Sequence, residues 1–232
     1  MKVVLFDIDG TLLWTDGAGR RAVHQALEDV FGAAPPDGHE FDGKTDPQIV
    51  RELMRLVGVA DSDIDVRLPE ALRRYVELLD HELSRGDHAG QTFPGVAALL
   101  DALEARDDVL IGLLTGNVHQ GAAAKLAAVG LARDRFKVGA FGSDHALRAE
   151  LPAVARGRAE TLVGRVIDGA DVVVIGDTPA DMHCGTGIGA RAIGVATGRY
   201  SVADLEACGP AAVFPDLADT AAVMRAIFEG SP

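Results

Sequence analysis

The sequence predicts an α/β fold with a doubly wound parallel sheet, and two observations support this. Short apolar, β-branched runs alternate with helical patterns from about residue 91 onward, an order typical of a parallel sheet covered by helices on both faces. Between residues 18 and 86 apolar residues recur at helical spacing instead. The chain is therefore expected to form a core domain, from 1–15 and 89–232, interrupted by a smaller all-helical domain at 16–88.

The predicted core strands are short runs that end in small or polar residues, as buried parallel strands do. They cover residues 3–8, 109–114, 137–141, 172–175 and 192–195. Helical periodicity predicts helices over 96–105 and 119–129 between them.

Composition narrows the classes of partner. The chain has 232 residues, 48% of them hydrophobic, and a net charge of −13. This negative charge disfavours a nucleic acid as the binding partner. Two cysteines without a CxxC pair predict neither a disulfide framework nor a thiolate metal site. The apolar start is broken by Asp7 and Asp9, so we expect no signal peptide, no membrane partner and a cytoplasmic location. The choice between monomer and homodimer stays open.

Two carboxylates close the first predicted strand, in the string Asp7-Ile8-Asp9-Gly10-Thr11. Their spacing of two places them on one side of the pleat. Like charges this close are costly unless a cation lies between them or one stays protonated, which points to a metal and to divided roles. The alternative is that both aspartates only end a strand and hydrogen-bond a turn.

This string resembles DxDGT, the first motif of the haloacid dehalogenase-like superfamily, and the chain is most similar to its phosphoglycolate phosphatase-like branch. The resemblance implies a Rossmann-type core with a helical cap inserted after the first motif. It also implies a Mg²⁺-dependent phosphatase that hydrolyses a small phosphorylated metabolite, with Asp7 as the transiently phosphorylated nucleophile and Asp9 as general acid and base. A sugar-phosphate mutase, similar to β-phosphoglucomutase, would retain the same core residues and is the alternative.

Two further motifs follow later strands. Thr115-Gly116-Asn117 matches the family's second motif, in which the threonine hydroxyl donates to a phosphoryl oxygen; the N–H groups of Gly116 and Asn117 are expected to help bind the same anion. As an alternative, Thr115 is a helix N-cap.

The string from Gly176 to Asp181 matches the fourth motif, GDxxxD. By resemblance the metal ligands are the Asp7 carboxylate, the Asp9 backbone carbonyl and Asp177, with Asp181 at one remove. Asp181 also fits a capping box at a helix start.

The family's third motif is usually a lysine, and no lysine follows Lys137 here. The candidate replacements are Arg148, Arg156 and Arg158. Arg148 is favoured because it lies just before a predicted helix start, where the family's basic residue usually stands. An arginine is chemically suitable, since its guanidinium binds phosphate in a bidentate manner.

Inside the insertion, residues 41–47 form a polar, glycine-containing loop that resembles the substrate-facing loop of helical caps. Lys44 and Thr45 are the candidate specificity residues there; alternatively the segment is an exposed turn in which Thr45 or Asp46 caps a helix. Trp14, close to the crossing from core to insertion, is expected to be a packing anchor.

Overall fold

The computed structural model describes residues 1–85 and 90–229. In chain order the strands and α-helices of the described residues are β1 (Lys2–Phe6), β2 (Leu13–Trp14), α1 (Ala18–Phe31), α2 (Asp46–Leu56), α3 (Asp61–Leu83), β3 (Gln91–Thr92), α4 (Val96–Glu104), β4 (Val109–Leu114), α5 (His119–Ala128), β5 (Val138–Ala140), α6 (Leu151–Val163), β6 (Val172–Gly176), α7 (Pro179–Cys184), β7 (Arg191–Val195), α8 (Val202–Glu206), β8 (Ala212–Phe214) and α9 (Thr220–Glu229).

Six of the strands form one parallel sheet in the order β5-β4-β1-β6-β7-β8. Alternate residues of β1 serve its two faces: Val4 and Phe6 pack with α4, α5 and α9, whereas Val3 and Leu5 pack with α6. The predicted doubly wound α/β fold is thus confirmed. The five predicted core strands are present: β4 has the predicted bounds, and the ends of the other four differ by at most two residues.

Two features of the sheet differ from the prediction. The first strand ends at Phe6 rather than at residue 8, because the chain turns after Asp7, whose N–H still donates to the Ile175 carbonyl at 2.9 Å. β8 was not predicted, because its apolar run is short and its three residues are only half-buried.

The insertion is helical, as predicted: α1, α2 and α3 pack around a core of their own that includes Leu27, Leu53 and Tyr75. Thr45 caps α2, its side chain accepting from the Gln48 N–H at 3.3 Å. No helix within the described residues has both the length and the apolar character needed to cross a membrane.

The chain passes between core and insertion through β2 and β3, which pair antiparallel with Leu13 opposite Thr92 and Trp14 opposite Gln91. This short pair was not predicted. Trp14 is 47% exposed, so its expected role as a packing anchor is wrong: Leu13 faces the core, and its strand neighbour faces the other way. The domain limits 16 and 88 stay a prediction, and residues 88 and 89 lie outside the described residues.

Candidate active site

Three central strands of the sheet bring polar side chains to one edge. Asp7, Thr115 and Asp177 follow β1, β4 and β6, which are adjacent in the sheet. All three are buried and line a cavity of about 180 Å³. The carboxyl ends of these strands therefore meet where open α/β sheets bind ligands.

Gly10 allows the first of these segments to turn beneath the cavity. Its φ of 79° favours glycine, and a Cβ there would lie 2.2 Å from Asp177 Oδ2. The next residue, Thr11, donates from Oγ1 to Asp177 Oδ1 at 2.9 Å. Gly10 thus satisfies both a backbone requirement and a close approach to Asp177.

Three buried acids converge at this edge: oxygen atoms of Asp7, Asp177 and Asp181 lie within 4.8 Å of one another. Burial raises the pKa of Asp7 to about 6, although the nearby Arg148 guanidinium opposes that shift. Burial, and then the charges of Asp181 and Asp7, raise the pKa of Asp177 well above its ordinary value. A compact set of carboxylate oxygens with mutual repulsion is suited to a hard divalent cation.

Arg148 supplies positive charge to this cluster. Its Nη2 lies 3.1 Å from Asp7 Oδ2, contacts Asp181 Oδ1 and donates to the Leu114 carbonyl at 3.3 Å. The burial of Arg148 opposes its charge, but the Asp181 and Asp7 carboxylates raise its pKa above the ordinary value. The structure brings this favoured arginine to the nucleophile candidate.

The other two candidate arginines make different contacts. Arg156 lies 3.9 Å from Glu160 on its own helix, and Arg158 pairs with Asp144 at 2.6 Å. Neither lines the cavity.

Asp181 is fully buried, and both of its oxygens are engaged. Oδ1 contacts Arg148, while Oδ2 accepts from the Thr178 N–H at 3.0 Å and from Thr178 Oγ1 at 2.6 Å. The predicted capping box is present. The structure thus places Asp181 behind the cavity, where it holds Arg148 in position.

Thr115 and Asn117 interact with each other. Thr115 Oγ1 accepts from Asn117 Nδ2 at 2.8 Å and from the Asn117 N–H at 3.3 Å, so the threonine hydroxyl proton remains available to a ligand. The Asn117 N–H is thus engaged by Thr115, which differs from the expectation that it faces an anion. Gly116 lines the cavity beside both residues.

Asp9 has a partner that the sequence analysis missed. Lys125, 5% exposed on α5, donates from Nζ to Asp9 Oδ2 at 2.6 Å and to Asn117 Oδ1 at 2.7 Å. Asn117 Nδ2 also donates to Asp9 Oδ2, at 2.8 Å. The available signal was helical spacing: Gly121, Ala122 and Lys125 share the buried face of α5.

The loop at 41–47 sits on the core and closes one side of the cavity. The Asp46 N–H donates to the Gly116 carbonyl at 2.8 Å, and Asp46 Oδ2 accepts from the Val118 N–H at 2.7 Å. A Cβ on Gly116 would lie 2.0 Å from the Lys44 carbonyl oxygen, so the loop requires glycine there. Burial raises the pKa of Asp46 to about 6, even though Lys125 opposes the shift.

The two predicted specificity residues in this loop differ in position. Lys44 lines the cavity, but its Nζ is paired with Glu52 Oε2 at 2.6 Å. Thr45 does not line the cavity; it caps α2 and donates to the Ala146 carbonyl at 2.5 Å. The alternative interpretation, that Thr45 is a helix cap, describes its contacts.

Other residues of the insertion complete the cavity wall. The Arg20 guanidinium stands 3.9 Å from the Phe41 ring centroid, and its Nη1 donates to the His39 carbonyl at 2.8 Å. Tyr75 lines the cavity with only 2% of its surface exposed. Its hydroxyl forms no hydrogen bond with the residues that the structure describes, so it can bond a ligand.

Comparisons with known proteins match the chain to a family and to a fold. A family model described as a haloacid dehalogenase-like hydrolase matches residues 1–189. Among solved structures, a hydrolase from Pseudomonas syringae is 23% identical, with a TM-score of 0.71 over 98% of this chain and 99% of that one. A predicted phosphoglycolate phosphatase from Haemophilus somnus 129pt is 19% identical, with a TM-score of 0.70 over 97% and 98%.

A protein from Thermotoga maritima, described as a candidate β-phosphoglucomutase, is 20% identical, with a TM-score of 0.62 over 98% of this chain and 100% of that one. At these identities the likenesses show the fold. No curated protein matches the chain.

Proposed function

We propose a specific activity from the premise that the chain belongs to the haloacid dehalogenase-like hydrolases, whose model matches residues 1–189. The chain is proposed to be a phosphatase that hydrolyses a small phosphomonoester through an aspartyl-phosphate on Asp7. The observation that carries the proposal is the meeting of Asp7, Thr115, Asp177 and Arg148 in one cavity. These residues supply a nucleophile, a hydroxyl donor, a metal-binding acid and a cation.

We propose Mg²⁺ as the cofactor because its preferred ligands are oxygen atoms. The residues that would hold it are the Asp7 and Asp177 carboxylates and the Asp9 carbonyl oxygen, which accepts no hydrogen bond from the described residues. Asp181 is unsuited to direct binding because its oxygens are already engaged. When bound, the cation would neutralise charge on the phosphoryl oxygens.

In the first step a carboxylate oxygen of Asp7 attacks phosphorus, and the bond from phosphorus to the ester oxygen breaks. Asp9 donates a proton to the departing alcohol. In the second step water attacks the aspartyl-phosphate while Asp9 takes a proton from it, and Asp7 is released. Thr115 Oγ1 and Arg148 donate hydrogen bonds to the phosphoryl oxygens throughout.

The organic part of the substrate would face the insertion. The modest cavity supports a small phosphorylated metabolite, and the phosphoglycolate phosphatase-like branch gives the first compounds to assay. Lys44 and Thr45 would affect specificity through the shape of the loop at 41–47. Cytoplasmic location remains a proposal, as does the choice between monomer and homodimer.

A sugar-phosphate mutase is the second candidate, because a mutase would retain the same core residues, and the loop at 41–47 packs on the core beside them. A mutase would return the phosphoryl group to a sugar phosphate and would need a bisphosphate to recharge Asp7. Product analysis separates the two, because only the phosphatase releases inorganic phosphate at every turnover.

The test is a panel of small phosphomonoesters, including phosphoglycolate, glycerol 3-phosphate and glucose 6-phosphate, assayed for phosphate release. We expect turnover with Mg²⁺, its loss on chelation and poor support by Ca²⁺, whose larger and more flexible coordination suits in-line transfer less well. Activity that is indifferent to chelation would contradict the metal assignment. Inactivity on the whole panel would contradict the proposed function.

A further inference from the structure

Lys125 is a buried cation beside the cavity with no part in the steps above. Its ammonium bonds Asp9 Oδ2 at 2.6 Å and Asn117 Oδ1 at 2.7 Å, and Asn117 bonds Asp9 Oδ2 at 2.8 Å. The three side chains therefore close a ring of hydrogen bonds. A buried ammonium is costly unless it is paired, so the arrangement in which Lys125 keeps both bonds is favoured over others. Lys125 thereby holds the ring in one arrangement.

The ring distinguishes the two oxygens of Asp9. Oδ2 accepts both hydrogen bonds, one of them from a cation, whereas Oδ1 accepts none from the described residues. An oxygen with two such donors has its lone pairs engaged. Oδ1 is therefore the oxygen of Asp9 that is free to meet the ester oxygen of a bound substrate.

We infer that Lys125 is a positioning residue for the proposed phosphatase reaction: it fixes the Asp9 carboxyl group so that Oδ1 delivers the proton to the leaving alcohol. The inference rests on the proposed function, in which Asp9 is the acid. Without Lys125 the carboxyl group would keep one donor and rotate more freely. General acid catalysis depends on such alignment.

The insertion completes the space around this lysine. A Cβ placed on Gly19, in the first turn of α1, would lie 3.2 Å from Lys125 Nζ. Gly19 thus leaves room for the ammonium between the insertion and the core. A side chain at this position would displace the ammonium without removing it.

The test compares two leaving groups in Lys125→Met, with Lys137→Met, at an exposed lysine, as the matched control. The 4-nitrophenolate leaves 4-nitrophenyl phosphate without needing a proton. The alkoxide that leaves an alkyl ester does need a proton. The alkyl ester used is the one that the wild type hydrolyses fastest among phosphoglycolate, glycerol 3-phosphate and glucose 6-phosphate. We expect kcat to fall about 100-fold on the alkyl ester and far less on the aryl ester.

Gly19→Ala should change the ratio of the two kcat values in the same direction but by less, and it keeps the test available if Lys125→Met does not fold, as judged by thermal unfolding. Lys137→Met should leave both rates unchanged. An equal loss on both esters in a folded variant would overturn the inference. A wild type that hydrolyses neither ester would instead contradict the proposed function itself.

Discussion

The two walls of the cavity are built differently. On the core wall, Asp7, Thr115, Asp177 and Arg148 are buried at strand ends or just before a helix, and the Arg148 guanidinium pairs with the Asp7 carboxylate. On the wall from the insertion, Arg20 and Asp42 are exposed, and no carboxylate of the described residues pairs with Arg20. A wall of buried charged groups is suited to hold the reacting groups in fixed positions for the chemical step. A more exposed wall is suited to select the organic group of the substrate.

The largest difference between the walls is expected for an Asp→Asn change on each. Asp7→Asn removes the nucleophile, so kcat should fall on the order of 10⁴-fold. Asp42→Asn, also lining the cavity but 3.6 Å from Arg199, should retain most of the rate. Steady-state phosphate release measures both. Near-normal hydrolysis by Asp7→Asn would rule out the assigned nucleophile.

The second comparison removes one cation from each wall. Arg148→Met leaves Asp7 and Asp181 buried beside each other without their guanidinium, and should lower the free energy of unfolding by about 3–5 kcal/mol. Arg20→Met, at an exposed site, should cost less than about 1 kcal/mol. Denaturant unfolding of metal-free protein at neutral pH checks both values. Equal losses of unfolding free energy in the two variants would show that the stability of the core wall does not depend on the buried ion pairs of Arg148.

A third prediction concerns Asp46, where the two walls meet. Its folded-state pKa of about 6 lies above the ordinary 3.8, so the stabilising contribution of its protonated form is present below about pH 4 and is lost as pH rises through 6. Asp46→Asn is neutral at every pH. It should therefore raise the free energy of unfolding above pH 6 by about 1–3 kcal/mol.

The same substitution should have little effect near pH 3, which lies below both pKa values, so that Asp46 is mostly protonated in the folded and in the unfolded chain. Thermal unfolding as a function of pH provides the readout. Asp37→Asn, at an exposed aspartate, is the control and should be neutral at both values. A stabilisation by Asp46→Asn that is independent of pH would contradict the assigned cause.

The smallest expected effect lies on the wall from the insertion. Tyr75→Phe removes a hydroxyl that faces the cavity without a hydrogen bond to the described residues, so the folded protein should lose little stability. If the hydroxyl bonds the organic group, KM should rise about 3–10-fold while kcat changes less. Steady-state kinetics on the best substrate decides, and an unchanged KM would remove Tyr75 from substrate recognition.

The sequence located most of the core wall because each residue follows a strand directly. Asp7, Thr115 and Asp177 end apolar runs, and parallel strands bring such ends together. Arg148 was predicted because a helix starts just after it.

Lys125 was not predicted, because its contact with Asp9 spans 116 residues and depends on how α5 packs. Most contacts of the wall from the insertion were also not predicted from the sequence. Lys44 on that wall pairs with a glutamate on the following helix, and Trp14, at the crossing from the core, lies in a two-residue strand that was not predicted. Such contacts follow from tertiary docking rather than from local pattern.

The most direct test of the central claim is to trap the covalent intermediate. The enzyme is mixed with its best substrate and Mg²⁺, quenched rapidly, treated with borohydride and digested for mass spectrometry. Reduction of an aspartyl-phosphate converts the residue to homoserine, and we predict homoserine at position 7 in the wild type with substrate and its absence in the wild type without substrate. Turnover with no modification at Asp7, or with homoserine at another aspartate, would contradict the account.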